Sequence, residues 1–378
     1  MDNKNKEAVL TLDAGGTSFV FSAIADNREV VDPICLPAYP DDLERCLSSI
    51  VEGFGKVADL LHTPPVAISF AFPGPADYIH GVIGDLPNFP AFRGGIALGP
   101  YLEERFGMPV FINNDGNLFA YGEAIAGALP WVNRELELTG NPKLYKNLLG
   151  VTLGTGFGGG VVIDGKLLLG DNGCGGDVWL SANKYDRALL AEEGVSIRAV
   201  KRVYREISGD ETDYTPKEIF EIAEGTREGD RNAAVRSFEK LGEIAGYTIA
   251  ESLNIVDGMV VIGGGIANAC KYILPSMIKE MNSSRGTMKG NLFPRLQMKA
   301  YNLEDENERT LFFENESKTV KIPGSSHTVI YEPVKKIGII TSNLGTSKAI
   351  SLGAYNFALS NLKNKSSNTL NNSNNVTL

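Results

Sequence analysis

Cysteine is scarce in this sequence. The four cysteines among 378 residues lie far apart and form no CxxC pair, so we expect reduced thiols and neither a disulfide framework nor a cysteine-built zinc site. No apolar run approaches the roughly 20 residues that a membrane helix needs. The polar N-terminus also lacks the apolar core of a secretory signal. The sequence therefore predicts a cytoplasmic protein that does not span a membrane.

Positive charge is also in deficit. The chain has 36 Lys and Arg residues against 46 Asp and Glu residues, a net charge of −10. Proteins that bind nucleic acid neutralise phosphates with Lys and Arg, so nucleic acid is not an expected partner. A phosphorylated small ligand would have to be held by backbone amides and metal ions.

The length of the chain indicates two lobes, each large enough to bury a core, with a cleft between them. The β-rich runs 9–12 and 19–24 flank a glycine turn and predict a hairpin that opens a sheet. The same unit of strand, glycine loop and strand recurs at 148–153 and 161–163. This recurrence predicts an internal duplication.

The boundary between the lobes is predicted close to Asp115. The first lobe is assigned residues 1–115, completed by a helix at 347–362, and the second lobe residues 116–346. One helix is expected after Asp115, with Leu118 and Leu129 on the same face. Residues 304–336 are charged and strand-like and predict an inserted hairpin, and the tail 363–378, rich in Asn and Ser, is expected to be disordered.

Two glycine turns are candidates for phosphate binding. In Asp13-Ala14-Gly15-Gly16-Thr17, glycines let backbone amides approach an anion, and Asp13 can hold Mg²⁺ through water. Taken alone, this turn is equally typical of an ordinary hairpin. The second loop matches G-x-G-x-x-G at Gly154, Gly156 and Gly159, but a dinucleotide-binding fingerprint must open a helix, and here a strand follows. No G-x-x-x-x-G-K-[ST] motif is present, which excludes a P-loop.

Asp115 is the candidate general base. It follows the buried strand at 109–112, and a carboxylate at the carboxyl end of such a strand is well placed to take a proton from an attacking hydroxyl. The alternative is that Asp115 only caps the helix that follows it. The stiff loops 72–75 and 86–88 are open to an equally simple explanation as ordinary turns.

The ordered set of these segments resembles the ROK family of sugar kinases and sugar-responsive repressors. The resemblance runs from Asp13 to about Leu359 and depends on the two glycine loops, on 73–75, 87–88, 114–117 and 175–177, and on Gly263-Gly264-Gly265. It implies an α/β protein with the duplicated, two-domain actin-like (ribonuclease H-like) ATPase fold. It also implies an ATP-dependent kinase that phosphorylates a hexose or an N-acetylhexosamine, by analogy at the C6 hydroxyl.

The resemblance also assigns roles to residues. Asp115 would be the general base, and Mg²⁺ would be held through water by Asp13. The sugar would be bound by Gly74, Asn88, Asn114, Asp115 and Asp177. ATP would be bound by Asp13, Gly15, Gly16, Thr17, Gly154, Thr155, Gly156, Gly263, Gly264 and Gly265.

The sequence departs from the family pattern around Asp177. Where many members have Gly-Glu-x-Gly-His, this chain has Gly176-Asp177-Val178-Trp179-Leu180, and the cysteine-rich zinc loop that usually follows is missing. We therefore expect ATP and Mg²⁺ but no zinc. The identity of the sugar and the oligomeric state, including a homodimer, are left open.

Two other functions remain as alternatives. A ROK repressor carries an N-terminal winged helix-turn-helix of roughly 60 to 80 residues, and the position of Asp13 together with the acidic charge argues against one here. A catalytically silent sugar-binding regulatory protein would keep the fold while losing the phosphate loops or the base. Both glycine loops, Gly263-Gly264-Gly265 and Asp115 are present, which favours an enzyme.

Overall fold

The computed structural model describes residues 7–74, 76–84 and 90–374. The strands are β1 (Val9–Ala14), β2 (Ser18–Ala25), β3 (Arg28–Glu29), β4 (Ile34–Pro37), β5 (Ala67–Ala71), β6 (Ala76–Asp77), β7 (Val82–Ile83), β8 (Val110–Asn113), β9 (Leu148–Leu153), β10 (Phe157–Ile163), β11 (Lys166–Leu167), β12 (Met259–Gly263), β13 (Ser284–Gly286), β14 (Leu292–Pro294), β15 (Lys299–Asn302), β16 (Lys318–Lys321), β17 (Thr328–Tyr331) and β18 (Lys336–Thr341). The helices are α1 (Leu43–Asp59), α2 (Leu98–Phe106), α3 (Asp115–Ala126), α4 (Ala128–Leu138), α5 (Ile197–Ser208), α6 (Pro216–Glu224), α7 (Arg231–Val256), α8 (Cys270–Met281), α9 (Glu306–Phe313) and α10 (Thr346–Asn374). No helix in these ranges combines the length and apolarity needed to cross a membrane.

The chain divides into two compact units. Unit 1 comprises Met1–Ala126, Leu169–Gly175 and Thr346–Leu378, and unit 2 comprises Gly127–Leu168 and Gly176–Gly345. Unit 1 takes in all of α3, which the sequence assigned to the second lobe. The reason is the packing of α3 on α10: a Cβ on Gly122 would lie 1.9 Å from the carbonyl oxygen of Ala349, and one on Gly353 would lie 1.9 Å from that of Leu118. Only glycine allows two helices to approach so closely.

The two units repeat one sheet pattern. In unit 1 the strand order is β3-β2-β1-β5-β8, with β4 also paired to β2, and in unit 2 it is β11-β10-β9-β12-β18-β15. Each sheet begins with an antiparallel glycine hairpin, β1–β2 or β9–β10, and continues with strands parallel to the first strand of that hairpin. The predicted duplication and both predicted hairpins are therefore confirmed.

Alternation along β1 separates the two faces of the sheet in unit 1. Leu10 and Leu12 face a core that includes Phe21 on β2 and Phe54 on α1. On the other face, Ala71 on β5 packs with Leu118 on α3 and Ala354 on α10. The second face therefore carries the helix that begins with Asp115.

Three sequence-based predictions of elements are wrong in detail. Leu129 lies on α4 and not on α3, because the helix is interrupted at Gly127, which has a non-helical φ of −116° and ψ of −120°. The region 304–336 contains the expected hairpin, β16–β17, but begins with a helix, α9, whose first turn is capped by the Asp305 carboxylate. The final helix does not end at Leu362 but continues to Asn374, since each added residue of a formed helix gains one backbone hydrogen bond.

Candidate active site

Three candidate segments of unit 1 follow strands that end at one edge of the sheet. β1, β5 and β8 are parallel to one another. The turn with Asp13 follows β1, Gly74 follows β5, and Asp115 follows β8. The backbone N–H of Phe72 donates to the carbonyl oxygen of Asn113 at 3.0 Å, which holds the second and third segments side by side. Ligands of open α/β sheets bind at the carboxyl ends of the strands.

Asn113 and Asn114 position the corner between β8 and α3. The buried Asn113 Oδ1 accepts the backbone N–H of Asn114 at 2.8 Å and the side-chain amide of Asn117 at 3.1 Å. Asn114 Oδ1 accepts the backbone N–H of Gly116 at 2.8 Å, as an N-cap side chain does. Asn114 therefore takes the capping role that was the alternative explanation for Asp115.

Asp115 is the first residue of α3 and has an exposed side chain. Its Oδ1 accepts the same Gly116 N–H at 2.8 Å, and its Oδ2 has no hydrogen-bond partner among the described residues. The surrounding protein removes enough water to raise the pKa of the Asp115 carboxyl above its usual range, although the bond from Gly116 opposes this shift. An accessible carboxylate with a raised pKa is suited to accept a proton.

The first glycine turn joins β1 to β2 and is open. The N–H of Gly15 donates to the carbonyl oxygen of Ser18 at 3.1 Å, which closes the turn. A Cβ on Gly16 would meet no atom within 4 Å. Asp13, Gly16 and Thr17 are exposed, and Asp13 forms no ion pair within the described part of the chain. Mg²⁺ commonly binds through one or two carboxylates, several waters and the phosphates of its substrate, so a single unpaired carboxylate beside amides fits it.

The second glycine turn joins β9 to β10 and is held by residues that lie outside this hairpin. Glu192 Oε2 accepts the N–H of Phe157 at 3.1 Å, and Glu192 Oε1 accepts a bond from Arg198 at 3.2 Å. The N–H of Ile197, the first residue of α5, donates to the carbonyl oxygen of Gly154 at 2.8 Å. Sequence reasoning missed Glu192 and Arg198, because they meet this turn only through tertiary packing and no local motif marks them.

The triple glycine lies beside this turn within unit 2. Gly263 ends β12 and is paired in register with Thr152 on β9. Gly264 has φ +90°, and a Cβ there would lie 2.2 Å from the carbonyl oxygen of Leu153. The predicted nucleotide segments Gly154–Gly156 and Gly263–Gly265 are thus brought together at the carboxyl ends of two adjacent parallel strands.

Asp177 stands on a turn that packs against β10. A Cβ on Gly159 would lie 2.4 Å from the carbonyl oxygen of Gly176, so the backbones of the glycine strand and of the Asp177 turn are in direct contact. Asp177 is exposed. Partial burial raises the pKa of its carboxyl, and a hydrogen bond from Trp179 opposes the shift. Leu180, where the family pattern has histidine, is 53% exposed.

The predicted site residues divide between the two units. Unit 1 contains Asp13, Gly15, Gly16, Thr17, Gly74, Asn114 and Asp115. Unit 2 contains Gly154, Thr155, Gly156, Gly263, Gly264 and Gly265, and it also contains Asp177, whose turn contacts β10 at Gly159. Asn88 lies outside the described residues. Sequence reasoning also missed Tyr78, whose hydroxyl donates to the carbonyl oxygen of Phe72 at 2.9 Å and supports the loop that carries Gly74.

Comparisons with known proteins identify the family to which this chain belongs. The model of the ROK family matches residues 9–292. The chain is 27% identical to a glucokinase of Thermotoga maritima over 307 residues, which is 72% of this chain and 90% of that protein. It is 28% identical to an N-acetyl-D-glucosamine kinase of Vibrio parahaemolyticus over 315 residues, 74% of this chain and 97% of that protein. The crystal structure of a glucokinase from Parabacteroides distasonis has 55% sequence identity and a TM-score of 0.87, with 95% of this chain and 99% of that chain covered.

Proposed function

Because this chain belongs to the ROK family, we propose that it is an ATP-dependent sugar kinase that phosphorylates a hexose or an N-acetylhexosamine at the C6 hydroxyl. The support for the reaction class is the similarity to a glucokinase at 55% identity and to an N-acetyl-D-glucosamine kinase at 28% identity. The duplicated sheets, each opened by a glycine hairpin, agree with the actin-like ATPase fold of this family.

One observation carries the choice of base. Asp115 is an accessible carboxylate that directly follows β8 and Asn114, and its pKa is raised. The N–H of Gly116 is bonded by Asn114 Oδ1 as well as by Asp115 Oδ1, so Asp115 is not needed as the N-cap of α3. A group held in this way can accept a proton without giving up a structural bond at Oδ2. Proton acceptance by a positioned carboxylate is the role that phosphoryl transfer to a hydroxyl requires.

The proposed reaction is a direct transfer. The C6 oxygen of the sugar forms a bond to the γ-phosphorus of ATP, the proton of that hydroxyl passes to Asp115, and the bond between the γ-phosphorus and the β,γ-bridging oxygen breaks to release ADP. Backbone amides of the two glycine turns bind phosphate oxygens, and Asn114, Asp177 and Gly74 orient the sugar. Mg²⁺ held near Asp13 would neutralise charge on the phosphates. Closure of the protein around the sugar stays a prediction.

The test is the substitution Asp115→Asn in a coupled ADP-release assay. The amide keeps the shape of the side chain and cannot accept the proton, so turnover should fall by about 10²-fold or more, whereas sugar affinity measured by titration should change much less. Glu306→Gln is the matched control, because it removes a carboxylate from the first position of another helix, α9.

Two results would contradict the proposal. Near wild-type turnover of Asp115→Asn would remove Asp115 from the role of base. Sugar binding without any ADP release by the wild-type protein, over a panel of glucose, mannose, fructose, N-acetylglucosamine and N-acetylmannosamine, would favour the silent regulatory protein instead.

A further inference from the structure

A cleft of about 460 Å³ lies in unit 1 between the first turns of α10 and the β1–β2–β3 edge of the sheet. We call it the α10 cleft, and the residues that define it here are Thr11, Asp13, Ser22, Ser347 and Lys348. Its volume lies within the range of about 300–1,000 Å³ that is typical of small-molecule sites. The roles assigned above involve only Asp13 among these residues.

The floor of the cleft carries a hydroxyl without a partner. Thr11 and Ser22 are directly opposite each other on β1 and β2 and point to the face that α10 covers. Ser22 is only 6% exposed, and its Oγ has no hydrogen-bond partner among the described residues. A buried hydroxyl left unpaired is costly, so this one is expected to gain a partner when the cleft is filled.

The head of α10 supplies donors to the same cleft. The residue before the helix is Gly345, which has no capping side chain. In the first turn, the backbone N–H groups of Ser347 and Lys348 have no acceptor among the described residues, as is usual for N–H groups at the start of a helix. Lys348 lies in that turn, is exposed, and has no ion-pair partner within the described part of the chain. The positive end of the helix dipole and a lysine together favour an anion.

The other charges of the cleft are unpaired as well. Arg28 and Glu29 line it at the β3 end, and Asp13 lines it at the glycine turn. No ion pair of the described residues joins these three groups or Lys348 to one another, although all four line one cavity. Asp13 and Glu29 repel an anion, so it would bind in the part of the cleft between Ser22 and the first turn of α10. An anion closer to Asp13 would need a cation beside that carboxylate.

We propose that the α10 cleft binds a phosphate group, with Lys348 as its cation and with the Ser22 hydroxyl and the backbone amides of Ser347 and Lys348 as donors. The existence of this site does not depend on the proposed kinase activity, but the identity of the molecule that carries the phosphate does. Two sources have the required chemistry. One is the polyphosphate of ATP, which would extend the nucleotide site beyond Asp13. The other is a free phosphorylated small molecule, such as the sugar phosphate that the reaction produces.

Binding is tested by calorimetric titration of the full-length protein with inorganic phosphate, with MgATP and with glucose 6-phosphate. We expect Lys348→Met to weaken binding of at least one of these probes by about tenfold, as expected for loss of a charge-assisted hydrogen bond, and Ser22→Ala to weaken it by about fivefold. Lys217→Met is the matched control. Lys217 also lies in the first turn of a helix, α6, but a capping box of Thr215 and Glu218 already satisfies that turn.

Thermal unfolding separates a ligand-binding role of Ser22 from a structural one. Without ligand, Ser22→Ala should melt at the wild-type temperature or above it, because the substitution removes an unpaired buried hydroxyl. With the probe that binds, the rise in melting temperature should be smaller than in the wild type. A lower melting temperature without ligand, and an unchanged ligand-dependent rise, would contradict the assigned role of Ser22.

Steady-state kinetics identify the source. If the phosphate is that of ATP, Lys348→Met raises KM for ATP by about the factor found in the titration and leaves KM for the sugar unchanged. If it is a free phosphorylated molecule, KM for ATP is unchanged and inhibition by glucose 6-phosphate or phosphate weakens. Equal binding of all three probes to the wild type, Lys348→Met and Ser22→Ala would overturn the proposal. The titrations give this answer even if the protein shows no kinase activity.

Discussion

The two glycine hairpins share one topology and differ in what surrounds them. In unit 2 the turn after β9 is held by Glu192, by the first residue of α5 and by the close approach of Gly264 to Leu153. In unit 1 the turn after β1 has no neighbour within 4 Å of a Cβ on Gly16, and the carboxylate of Asp13 beside it is exposed and unpaired among the described residues.

This difference indicates that the two copies of the glycine hairpin have different roles. The anchored hairpin of unit 2 presents a fixed backbone surface, which suits positioning of a nucleotide and of the Asp177 turn. The open hairpin of unit 1 presents charge, with Asp13 on one side and Asp115 after a nearby strand, which suits metal binding and proton transfer. We expect substitutions in the unit 1 hairpin to change the catalytic rate more than the stability of the fold. Substitutions in the unit 2 hairpin should change the stability of the fold more than the rate.

Among substitutions in the two hairpins, the largest effect is expected from Asp13. Asp13→Asn should lower turnover by about 10²-fold, the usual scale for loss of one preorganised group that stabilises the transition state, and should raise the Mg²⁺ concentration needed for half-maximal rate. The melting temperature should be unchanged, because Asp13 is exposed. ADP release measured against Mg²⁺ concentration checks this, with Asp59→Asn, an exposed carboxylate at the end of α1, as the control. An unchanged Mg²⁺ dependence would remove Asp13 from metal binding.

A pair of alanine substitutions tests the contrast in packing. Gly159→Ala places a Cβ 2.4 Å from the carbonyl oxygen of Gly176, so a backbone must move, and we expect a loss of about 1–3 kcal/mol in the free energy of unfolding. KM for the sugar should rise as well, because the Asp177 turn is displaced. Gly16→Ala meets no neighbour and should change stability by less than about 0.5 kcal/mol. Equal losses in urea denaturation would refute the contrast between the hairpins.

The pH dependence separates the two acidic residues. The pKa values of Asp115 and Asp177 are both raised above the usual 3.8 by loss of water. Only the ionised base is active, so kcat/KM should fall as pH decreases through a pKa above 3.8. Asp177→Asn should keep this acid limb, and the residual activity of Asp115→Asn should lose it.

The same shift has a consequence for stability. A raised carboxyl pKa means that ionisation is disfavoured in the folded protein. Asp115→Asn should therefore melt at a higher temperature than the wild type at neutral pH, and the difference should vanish as pH falls below the unfolded-state pKa, where both states are protonated. A melting temperature that drops at neutral pH would contradict the cause assigned to the shift.

Local patterns were sufficient for much of the fold. The hairpins β1–β2 and β9–β10 and the strand before Asp115 were all predicted from β-rich runs, although β10 begins at Phe157 and not at Val161 as expected. What could not be predicted depends on contacts distant in sequence. Glu192 reaches Phe157 across 35 residues, and α3 belongs with α10 because glycines in both helices allow their backbones to meet.

The smallest effect, and the one with most bearing on substrate choice, concerns Asp177 and Leu180. Asp177 is one methylene shorter than the glutamate of the family pattern, and Leu180 cannot form the hydrogen bonds of the histidine it replaces. No group of three or more metal-ligating side chains occurs among the described residues, and structural zinc needs about four ligands in tetrahedral array. From the missing cysteine-rich loop of the sequence we predict a zinc-free protein, and from Asp177 and Leu180 we predict a wider and less polar wall next to C1 and C2 of the sugar.

A wider wall should accept an N-acetyl group at C2 without binding it strongly, since space alone adds no attraction. We expect kcat/KM for N-acetylglucosamine to lie within about 200-fold of that for glucose, because a hydrophobic pocket discriminates a small added group by only about 1–3 kcal/mol, or 10- to 200-fold. Leu180→His should shift this ratio, and Leu189→His, an exposed leucine in the same unit, is its control. Stoichiometric zinc in elemental analysis would refute the first half of this prediction. Turnover of glucose with no measurable turnover of either N-acetylhexosamine would refute the second, and would mean that another part of the pocket excludes the acetyl group.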